Sequence, residues 1–426
     1  MIIHTVRENE SIRKIANFYG VDAANLSVLN GVSSPDIILP KGMAVLVLIP
    51  AVTHTALAGD TLFNIAERYA TNVRSLLRNN PWLSIDTPLS SGQNVVISYR
   101  GEKLGSADIY SYAYPFISES LLSSVLPFLT RLAPFTYGFR QDGSLVVPND
   151  EWMIALANDY GTAPIMHLST LNDQDVFDSS LAVSALTDTA LQQTLINNII
   201  ANMQRKGYTA LDIDFEYIPV GLASNYYSFI LRLSDTLNPL GYEVIVALAP
   251  KTSSQQRGLL YEAHNYSLLG RAANAVLLMT YEWGYSAGPP MAVSPINKVR
   301  EVLDYAVTVI PREKIYLGIS LYGYDWTLPY LEGNPPAVSL SPEEAVMLAY
   351  ENGAEIQYSY FSEAPFFYYT NNSRTHEVWY EDARSIAARL KLINEYKLKG
   401  AGFWHAGRGA MQCWQTLNSL YDIKSV

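Results

Sequence analysis

Cysteine is almost missing from this sequence, in which Cys413 is the only one among 426 residues. A single thiol excludes an internal disulfide and a cysteine-based metal cluster, and we expect no role for Cys413 beyond packing. The six histidines show neither HExxH nor HxH spacing, which argues against a zinc hydrolase. We therefore expect a protein that uses no metal and no cofactor.

Basic residues and long apolar runs are also scarce. Lysine and arginine number 29 against 40 acidic residues, the net charge is -11, and no basic block stands out. Nucleic acid is therefore not an expected partner. No apolar stretch approaches the roughly 20 residues that span a bilayer, so we expect no membrane partner. The segment Met1 to Glu8 also lacks the basic and apolar regions of a signal peptide.

What the sequence does contain is apolar and aromatic. Hydrophobic residues make up 49% of the chain and charged residues 16%, which is enough for a large buried core in two or three domains. The 30 tyrosines and 7 tryptophans will mostly pack in that core. Such a supply of flat rings also suits a carbohydrate-binding protein, because aromatic rings stack on the apolar faces of sugars.

The first hundred residues repeat with an offset of 50, in units that we place at 1–49 and 51–98. The matching pairs include His4 and His54, Ser11 and Thr61, Ile15 and Ile65, Tyr19 and Tyr69, Asn30 and Asn80, and Gly42 and Gly92. Matches in register across the whole unit indicate a duplicated small domain. Each unit reads as strand, helix, helix, strand, with Ser11 or Thr61 capping the first helix.

This βααβ pattern resembles the LysM module. The phrase from Ala58 to Tyr69 matches its signature closely, whereas the first repeat has Glu8 to Ser11 in place of the Gly-Asp-Thr turn. The resemblance implies binding to glycans that contain N-acetylglucosamine, in peptidoglycan or chitin. The candidate glycan-binding residues are Gly59, Asp60, Thr61, Leu62, Asn80 and Pro81. The alternative is that one repeat, more readily the first, is only a spacer.

Strand and helix patterns then alternate from residue 105 to residue 426. Eight apolar strand segments are recognisable: Ile109 to Phe116, Arg131 to Phe139, Ala163 to Ser169, Ala210 to Tyr217, Glu243 to Ala249, Ala275 to Tyr281, Lys314 to Tyr322 and Gly400 to His405. Their number favours an α/β fold of the (β/α)8 TIM-barrel type over a doubly wound open sheet. Extra strand patterns indicate a small β-rich α+β insertion, at about 330–382, between strands seven and eight.

Three acids stand at alternate positions of the fourth strand pattern, Asp212, Asp214 and Glu216. That spacing puts them on one face of a strand. Burial and mutual repulsion raise carboxyl pKa values, and a fold gains no stability from such a column. Glu216 would lie nearest the C-terminal rim, where barrel active sites are found, and could act there as a general acid. The competing interpretation, an exposed edge strand with polar alternation, explains three acids in an apolar strand poorly.

The segment from Ala210 to Glu216 resembles the DxxDxDxE signature of family-18 glycoside hydrolases. Thr209 replaces the outermost acid of that signature, and Ala210 the usual glycine, while the inner Asp-x-Asp-x-Glu is intact. Lectins of the same fold typically lose the glutamate. The segment Ile165 to Ser169 departs from the usual Ser-x-Gly-Gly of strand three.

The family-18 resemblance implies a substrate-assisted retaining mechanism, in which the substrate's 2-acetamido oxygen is the nucleophile. Glu216 would be acid and then base, Asp214 would hold the acetamido nitrogen, Asp212 would tune Asp214, and the Tyr281 hydroxyl would orient the acetamido oxygen. Trp404 would form the floor of the cleavage subsite. Further candidate substrate-binding residues are Glu282, Trp283, Tyr322, Asp325, Tyr112 and Asn172.

Two LysM-like repeats ahead of a family-18-like barrel resemble the cortical-fragment-lytic enzymes of spores. This implies N-acetylglucosaminidase action on cortex peptidoglycan fragments during germination. An enzyme made in the mother-cell cytoplasm and laid down in the coat or cortex region would need no signal peptide. A chitinase and a non-catalytic glycan-binding protein are the alternatives. We expect a monomer.

Overall fold

The computed structural model describes residues 1–85, 88–174 and 176–426. Each N-terminal repeat is an antiparallel strand pair with two helices. The first repeat consists of β1 (Ile2–Thr5), α1 (Ile12–Tyr19), α2 (Ala23–Leu29) and β2 (Ala44–Val47), and the second of β3 (Pro50–Thr55), α3 (Leu62–Arg68), α4 (Val73–Asn79) and β4 (Asn94–Tyr99). Ser11 and Thr61 cap α1 and α3, so the helix starts predicted from the sequence are confirmed.

The rest of the chain forms a closed barrel of eight parallel strands, because the eighth strand pairs with the first. The barrel strands are β5 (Gly105–Ala113), β6 (Arg131–Pro134), β9 (Ala163–Ser169), β10 (Ala210–Asp214), β11 (Glu243–Leu248), β12 (Ala275–Leu278), β13 (Ile315–Ser320) and β19 (Gly400–Trp404), with the hairpin β7 (Gly138–Phe139) and β8 (Leu145–Val146) between the second and third of them. The predicted barrel is thereby confirmed. The terminal strand β20 (Tyr421–Ile423) adds to β5 outside the ring.

Helices cover the outside of the barrel. They are α5 (Glu119–Val125), α6 (Glu151–Asp159), α7 (Ser179–Thr187), α8 (Thr189–Lys206), α9 (Ala223–Leu237), α10 (Tyr266–Ala272), α11 (Ile296–Val309), α13 (Ala383–Tyr396) and α14 (Met411–Leu420). Outward residues of the strands, such as Leu211, Ile213 and Phe215 of the β10 segment, join the main apolar core beneath these helices. Inward residues, such as Tyr112, Ile165 and Ile245, fill the barrel interior.

An insertion follows the seventh barrel strand. It contains an antiparallel sheet in the order β15-β14-β18-β17-β16 and one helix. Its elements are β14 (Gly323–Thr327), β15 (Val338–Leu340), α12 (Pro342–Glu351), β16 (Gln357–Ser359), β17 (Ala364–Asn371) and β18 (Arg374–Trp379). The sheet begins at Gly323, ahead of the residue 330 expected from the sequence.

Helix α14 holds both repeats against the barrel. The Gln412 side chain donates to Asn30 Oδ1 at 2.8 Å in the first repeat. The Gln415 amide donates to the carbonyl of Arg78 at 2.6 Å in the second, and Asn418 donates to Asn79.

The first repeat also shares an apolar cluster with the insertion. Ile15 and Met43 of the repeat are buried together with Ile356 and Phe367 of the insertion. The backbone N–H of Ile356 donates to Lys41 at 2.8 Å. The first repeat is therefore tied to the insertion as well as to the barrel.

Candidate active site

Three carboxyl groups lie at the C-terminal end of β10. The strand ends at Asp214 rather than at Tyr217 as predicted, so Glu216 follows it in the connecting loop. Asp212 is completely buried, the Asp214 side chain is 19% exposed, and Glu216 is partly buried. The acids therefore run from the barrel interior towards its mouth.

Asp212 has the most enclosed carboxyl group of the three. The Tyr112 hydroxyl, from β5, donates to Asp212 Oδ2 at 2.7 Å. Burial raises the pKa of Asp212 to about 6, and the charge of Asp214 adds to the effect, while His167 and Tyr112 oppose it. Tyr112 is thus a partner of the acids, although it lies too deep to be an open sugar-binding surface.

His167 is a member of this site that the sequence analysis did not select. It is fully buried on β9 and pairs in register with Asp212. Its Nε2 lies 3.9 Å from Asp212 Oδ2 and 3.7 Å from Asp214 Oδ2. A signal was present in the sequence, since His167 alternates with outward residues in the same way as Ile165, which faces the barrel interior.

Glu216 holds its proton unusually strongly. Burial raises the pKa of Glu216 to about 8, and the neighbouring charges of Asp214 and Glu282 add to the effect. A carboxyl group of this kind is protonated at neutral pH and can donate to a leaving oxygen.

A second buried histidine holds the backbone beside Glu216. The N–H of Ala249 donates to Nδ1 of His264 at 2.9 Å, so the ring proton is on Nε2. Nε2 lies 3.1 Å from the carbonyl oxygen of Phe215 and donates to it. His264 therefore supports the peptide that precedes Glu216, and burial keeps its own pKa below the usual range.

An aromatic cluster forms one wall of the site. Tyr281 and Trp404 pack against the cluster that contains Tyr322 and Tyr324. The hydroxyl groups of Tyr322 and Tyr324 both donate to Glu282 Oε1, the second at 2.9 Å. Burial, followed by the nearby carboxylates, raises the pKa of Tyr281 well above its usual value. Tyr281 is therefore a hydrogen-bond donor throughout the neutral range.

Trp404 ends the eighth barrel strand and lies across the barrel mouth. Its ring centroid is 4.7 Å from that of Phe135, 5.3 Å from Tyr112 and 5.9 Å from Tyr114. The indole thus joins the aromatic wall to the filled barrel interior. Its role as a floor for one sugar ring stays a prediction.

A cavity of about 370 Å³ opens above the outer acids. It is lined by Thr170, Phe177, Ser179, Asp214, Glu216, Tyr217 and Leu259. Both Asp214 and Glu216 therefore face a space large enough for part of a sugar chain, while Asp212 does not line it.

The side chains of three candidate substrate-binding residues make their contacts away from Asp212, Asp214 and Glu216. The Asp325 carboxylate points to the other face of the insertion sheet, where it accepts from Tyr369 at 2.6 Å and lies 3.0 Å from His376. Trp283 packs against the main core. The Asn172 side chain accepts from the backbone N–H groups of residues 174 and 176 and shapes its own loop.

Three of the glycan-binding candidates in the second repeat support its fold. Asp60 accepts from His54 and from the backbone N–H of Leu57, both at 2.8 Å. The buried Asn80 side chain bonds to α4 and β4, and Leu62 lies in the core. These residues fix the two loops rather than present their own side chains to a ligand.

The other three candidates lie at the surface of the second repeat. Gly59 and Thr61 are exposed, and Gly59 has a φ of +87°, which favours glycine. Pro81 borders a cavity of about 720 Å³ between this repeat and helices α5 and α6.

Two negative findings concern the described part of the chain. Within residues 1–85, 88–174 and 176–426, no group of three or more His, Cys, Asp or Glu side chains could hold a metal ion. Over the same residues, no helix is both long and apolar enough to cross a bilayer.

The raised pKa of Glu216 predicts a pH-dependent cost in stability. The folded-state pKa of about 8 lies above the ordinary 4.5, so the folded protein binds this proton more tightly. The contribution of this bound proton to the free energy of unfolding is complete below pH 4.5 and is lost as the pH rises through 8. We expect Glu216→Gln to raise the unfolding temperature, with a difference from wild type that grows between pH 4.5 and pH 8 in calorimetry. Glu351→Gln, at an exposed helix end, is the control; a constant difference for Glu216→Gln would contradict the prediction.

The barrel, with its column of acids and its aromatic wall, defines a glycosidase, and two glycan-binding-type modules precede it. The profile of glycosyl hydrolases family 18 matches residues 175–409, and that of the LysM domain matches residues 4–42 and 54–98. The chain belongs to glycosyl hydrolase family 18.

Several characterised and solved proteins are similar to this chain. The cortical fragment-lytic enzyme of Bacillus subtilis is 41% identical over 311 residues, which are 72% of each chain. The crystal structure of the Bacillus cereus spore cortex-lytic enzyme SleL is 34% identical, with a TM-score of 0.83, over 99% of this chain and 98% of that one. A chitinase from Chromobacterium violaceum is 23% identical, with a TM-score of 0.68 over 74% of this chain and 98% of its own, and shares the fold.

Proposed function

We propose that this protein is an N-acetylglucosaminidase that cleaves spore-cortex peptidoglycan fragments during germination. The observation that carries the proposal is the position of Glu216, whose pKa burial raises to about 8, beside Asp214 at a cavity of about 370 Å³. The similarity to enzymes named for cortical fragments and spore cortex supports the substrate. We further propose that the protein acts as a monomer in the coat or cortex region, with repeats at 1–49 and 51–98 and a catalytic domain at 105–426.

In the proposed reaction, Glu216 gives its proton to the glycosidic oxygen as the bond to the anomeric carbon breaks. The substrate's 2-acetamido oxygen attacks that carbon and forms an oxazolinium ion. Asp214 accepts from the acetamido N–H and offsets the positive charge that develops there. The Tyr281 hydroxyl donates to the acetamido oxygen and orients it. Glu216, now a carboxylate, then removes a proton from the water that opens the ring.

The arrangement of carboxylates favours a nucleophile carried by the substrate. Asp214 precedes Glu216 by two positions on the same segment, so it stands beside the acid rather than across the sugar from it. Glu282 is a further carboxylate near Glu216, and its Oε1 accepts from both Tyr322 and Tyr324. These hydrogen bonds stabilise its charge and orient it as part of the wall, which makes it a poor nucleophile.

The mechanism also restricts the sugar at the cleaved position. In muramic-δ-lactam the amide carbonyl is held in a second ring and cannot reach the anomeric carbon. The sugar that is attacked must therefore carry a free acetamido group, as N-acetylglucosamine does. Chitin oligomers meet the same requirement, so the wall and the cavity rather than the acids must select the cortex glycan.

Product analysis tests the proposed linkage. Digestion of purified cortex fragments is expected to create new reducing ends on N-acetylglucosamine, detected by borohydride reduction and mass spectrometry. Chitin oligomers of matched length, digested in parallel, are expected to be cleaved more slowly. New reducing ends on muramic residues would contradict the mechanism, and faster cleavage of chitin would favour a chitinase.

We propose that the second repeat is the glycan-binding one. Its exposed loop carries Gly59 and Thr61 between the apolar side chains Leu57 and Phe63, which are 60% and 64% exposed. In the first repeat, by contrast, the loop before β2 lies against the insertion, and a side-chain atom at Gly42 would come within 1.8 Å of the Ile356 carbonyl oxygen. We therefore propose that the first repeat supports the insertion and does not bind glycan.

Binding to insoluble cortex peptidoglycan tests that assignment. We expect the double change Leu57→Glu and Phe63→Glu to weaken sedimentation with the glycan about tenfold, because it places charge on the apolar surface of the loop. Phe18→Glu, at a still more exposed apolar site of the first repeat, is the control and should bind as wild type does. The assignment is wrong if Phe18→Glu has the larger effect, and cleavage of soluble fragments verifies that each variant is folded.

A further inference from the structure

We propose that His167 is a positioning residue that keeps the pair Asp212 and Asp214 ionised while Glu216 carries its proton. The inference rests on the proposed function and extends it to a residue of strand β9. The observation behind it is a fully buried imidazole whose Nε2 faces the buried Asp212 and the partly buried Asp214 carboxylates at 3.9 and 3.7 Å.

The Nε2 side of the ring faces the acids. Within the described ranges, buried Nε2 makes no hydrogen bond, and neither do Oδ1 of Asp212 and Oδ1 of Asp214. The separations from Nε2 are those of an ion pair rather than of a direct hydrogen bond. Two ionised carboxylates this close together repel each other, and the imidazole is in contact with both, so a positive charge on it would offset their repulsion.

The Nδ1 side of the ring is held by Thr136. The two atoms Nδ1 and Thr136 Oγ1 are 2.7 Å apart. The threonine hydroxyl can donate to the carbonyl of Tyr137, 3.0 Å away, and so remains free to accept from Nδ1–H. A proton on Nδ1 is then accepted by Thr136, and a second proton on Nε2 would face the two carboxylates, which is the imidazolium form that we infer.

Aromatic rings enclose the imidazole and suit a cation. The Phe135 ring centroid lies 4.8 Å away at an interplanar angle of 32°, and the Tyr112 centroid lies 5.1 Å away at 85°. Such rings stabilise a positive charge over their faces. They also exclude water, which strengthens the attraction between His167 and the acids.

The groups that can change the charge around His167 are few. Asp212 and Asp214 face it from β10, and the Tyr112 phenol faces it from β5. From β6 and its loop the neighbours are the neutral groups Phe135 and Thr136. Glu216 and Tyr281 lie beyond Asp214, whose charge acts on both of them.

The imidazolium has a defined consequence for turnover. With His167 charged, the site can hold two aspartates ionised and still keep Glu216 protonated. Asp214 is then ready to accept from the acetamido N–H before the oxazolinium forms. Without that cation, the pKa of the aspartate pair rises, so the pair keeps one proton up to a higher pH. The fraction of active enzyme then falls on the acidic side of the pH profile.

The test is the pH dependence of kcat on cortex fragments for the full chain and for His167→Asn and His167→Gln. We expect the acidic limb to move up by about one pH unit or more, because an opposite charge at this distance shifts a carboxyl pKa by that amount. We expect kcat to fall and KM to change less than twofold. The alkaline limb, set by Glu216, should stay in place, since its pKa depends on burial, Asp214 and Glu282.

The matched control is His376→Asn, because His376 also lies beside an aspartate, 3.0 Å from Asp325, on the far face of the insertion sheet. It should leave both limbs unchanged. If neither His167 variant folds, Thr136→Val removes the Nδ1 acceptor instead and should shift the acidic limb in the same direction. An acidic limb that coincides with that of wild type overturns the inference. Turnover by Glu216→Gln would instead overturn the proposed function, so the two failures are distinguishable.

Discussion

Glu216→Gln is expected to lower kcat on cortex fragments by about 10³-fold or more, because the variant can neither protonate the leaving oxygen nor later activate water. The amide has nearly the shape of the protonated carboxyl group that the wild type carries at neutral pH. Glycan binding should therefore survive the change. Steady-state kinetics on soluble fragments, together with calorimetric binding of the same fragments, measure the two effects separately.

The control for Glu216→Gln is Glu282→Gln, which alters the neighbouring carboxylate but keeps an acceptor for Tyr322 and Tyr324. We expect a much smaller loss of kcat from it. Undiminished turnover by Glu216→Gln would remove Glu216 from the mechanism. A greater loss from Glu282→Gln would indicate that the wall carboxylate, rather than Glu216, is the proton donor.

Asp214→Asn is expected to lower kcat by about 10²-fold with little change in KM. In the proposed mechanism, the aspartate carboxylate stabilises the acetamido group mainly when positive charge develops on it, so its removal would affect the transition state more than the bound substrate. Rate measurements at saturating and at limiting fragment concentrations distinguish these contributions.

Asp212→Asn provides the comparison for Asp214→Asn. Asp212 does not line the cavity and, in the proposed mechanism, acts through its neighbours, so the loss should be smaller and should appear chiefly as a changed pH profile. The contrary result would be an equal loss of kcat/KM in the two variants, together with a large rise in KM for Asp214→Asn. It would mean that Asp214 binds the substrate and the transition state equally well. That result would argue against its proposed part in the substrate-assisted step.

Local alternation in the sequence was enough to predict the barrel and its column of acids. In the β10 segment, Leu211 and Ile213 point to the helices, and Asp212 points inward, because successive strand residues face opposite sides. The extent of that strand was less predictable. The chain leaves the sheet after Asp214, and His264, from a loop more than forty residues later, supports the carbonyl of Phe215. Such a tertiary contact has no local signal.

The same alternation also explains a candidate that lies elsewhere. Asp325 was a candidate substrate-binding residue, but it falls between Tyr324 and Trp326 on a new strand of the insertion. Those two aromatic residues face the site, so Asp325 must face away from it, towards His376. The start of the insertion strand determines this direction, and no residue pattern in the sequence marked that start.

Helix α14 holds the two repeats in a fixed position relative to the barrel, so the molecule does not behave as separate domains on a flexible tether. Gln412 and Gln415 attach the two repeats to the same helix, so no free linker separates the second repeat from the cleft. The local concentration of scissile bonds around an anchored enzyme is then set by geometry instead of by tether length. A glycan strand bound by the second repeat, as proposed above, would reach the acids at a fixed distance, and the spacing of the cuts would then report the distance between the binding site and the acids.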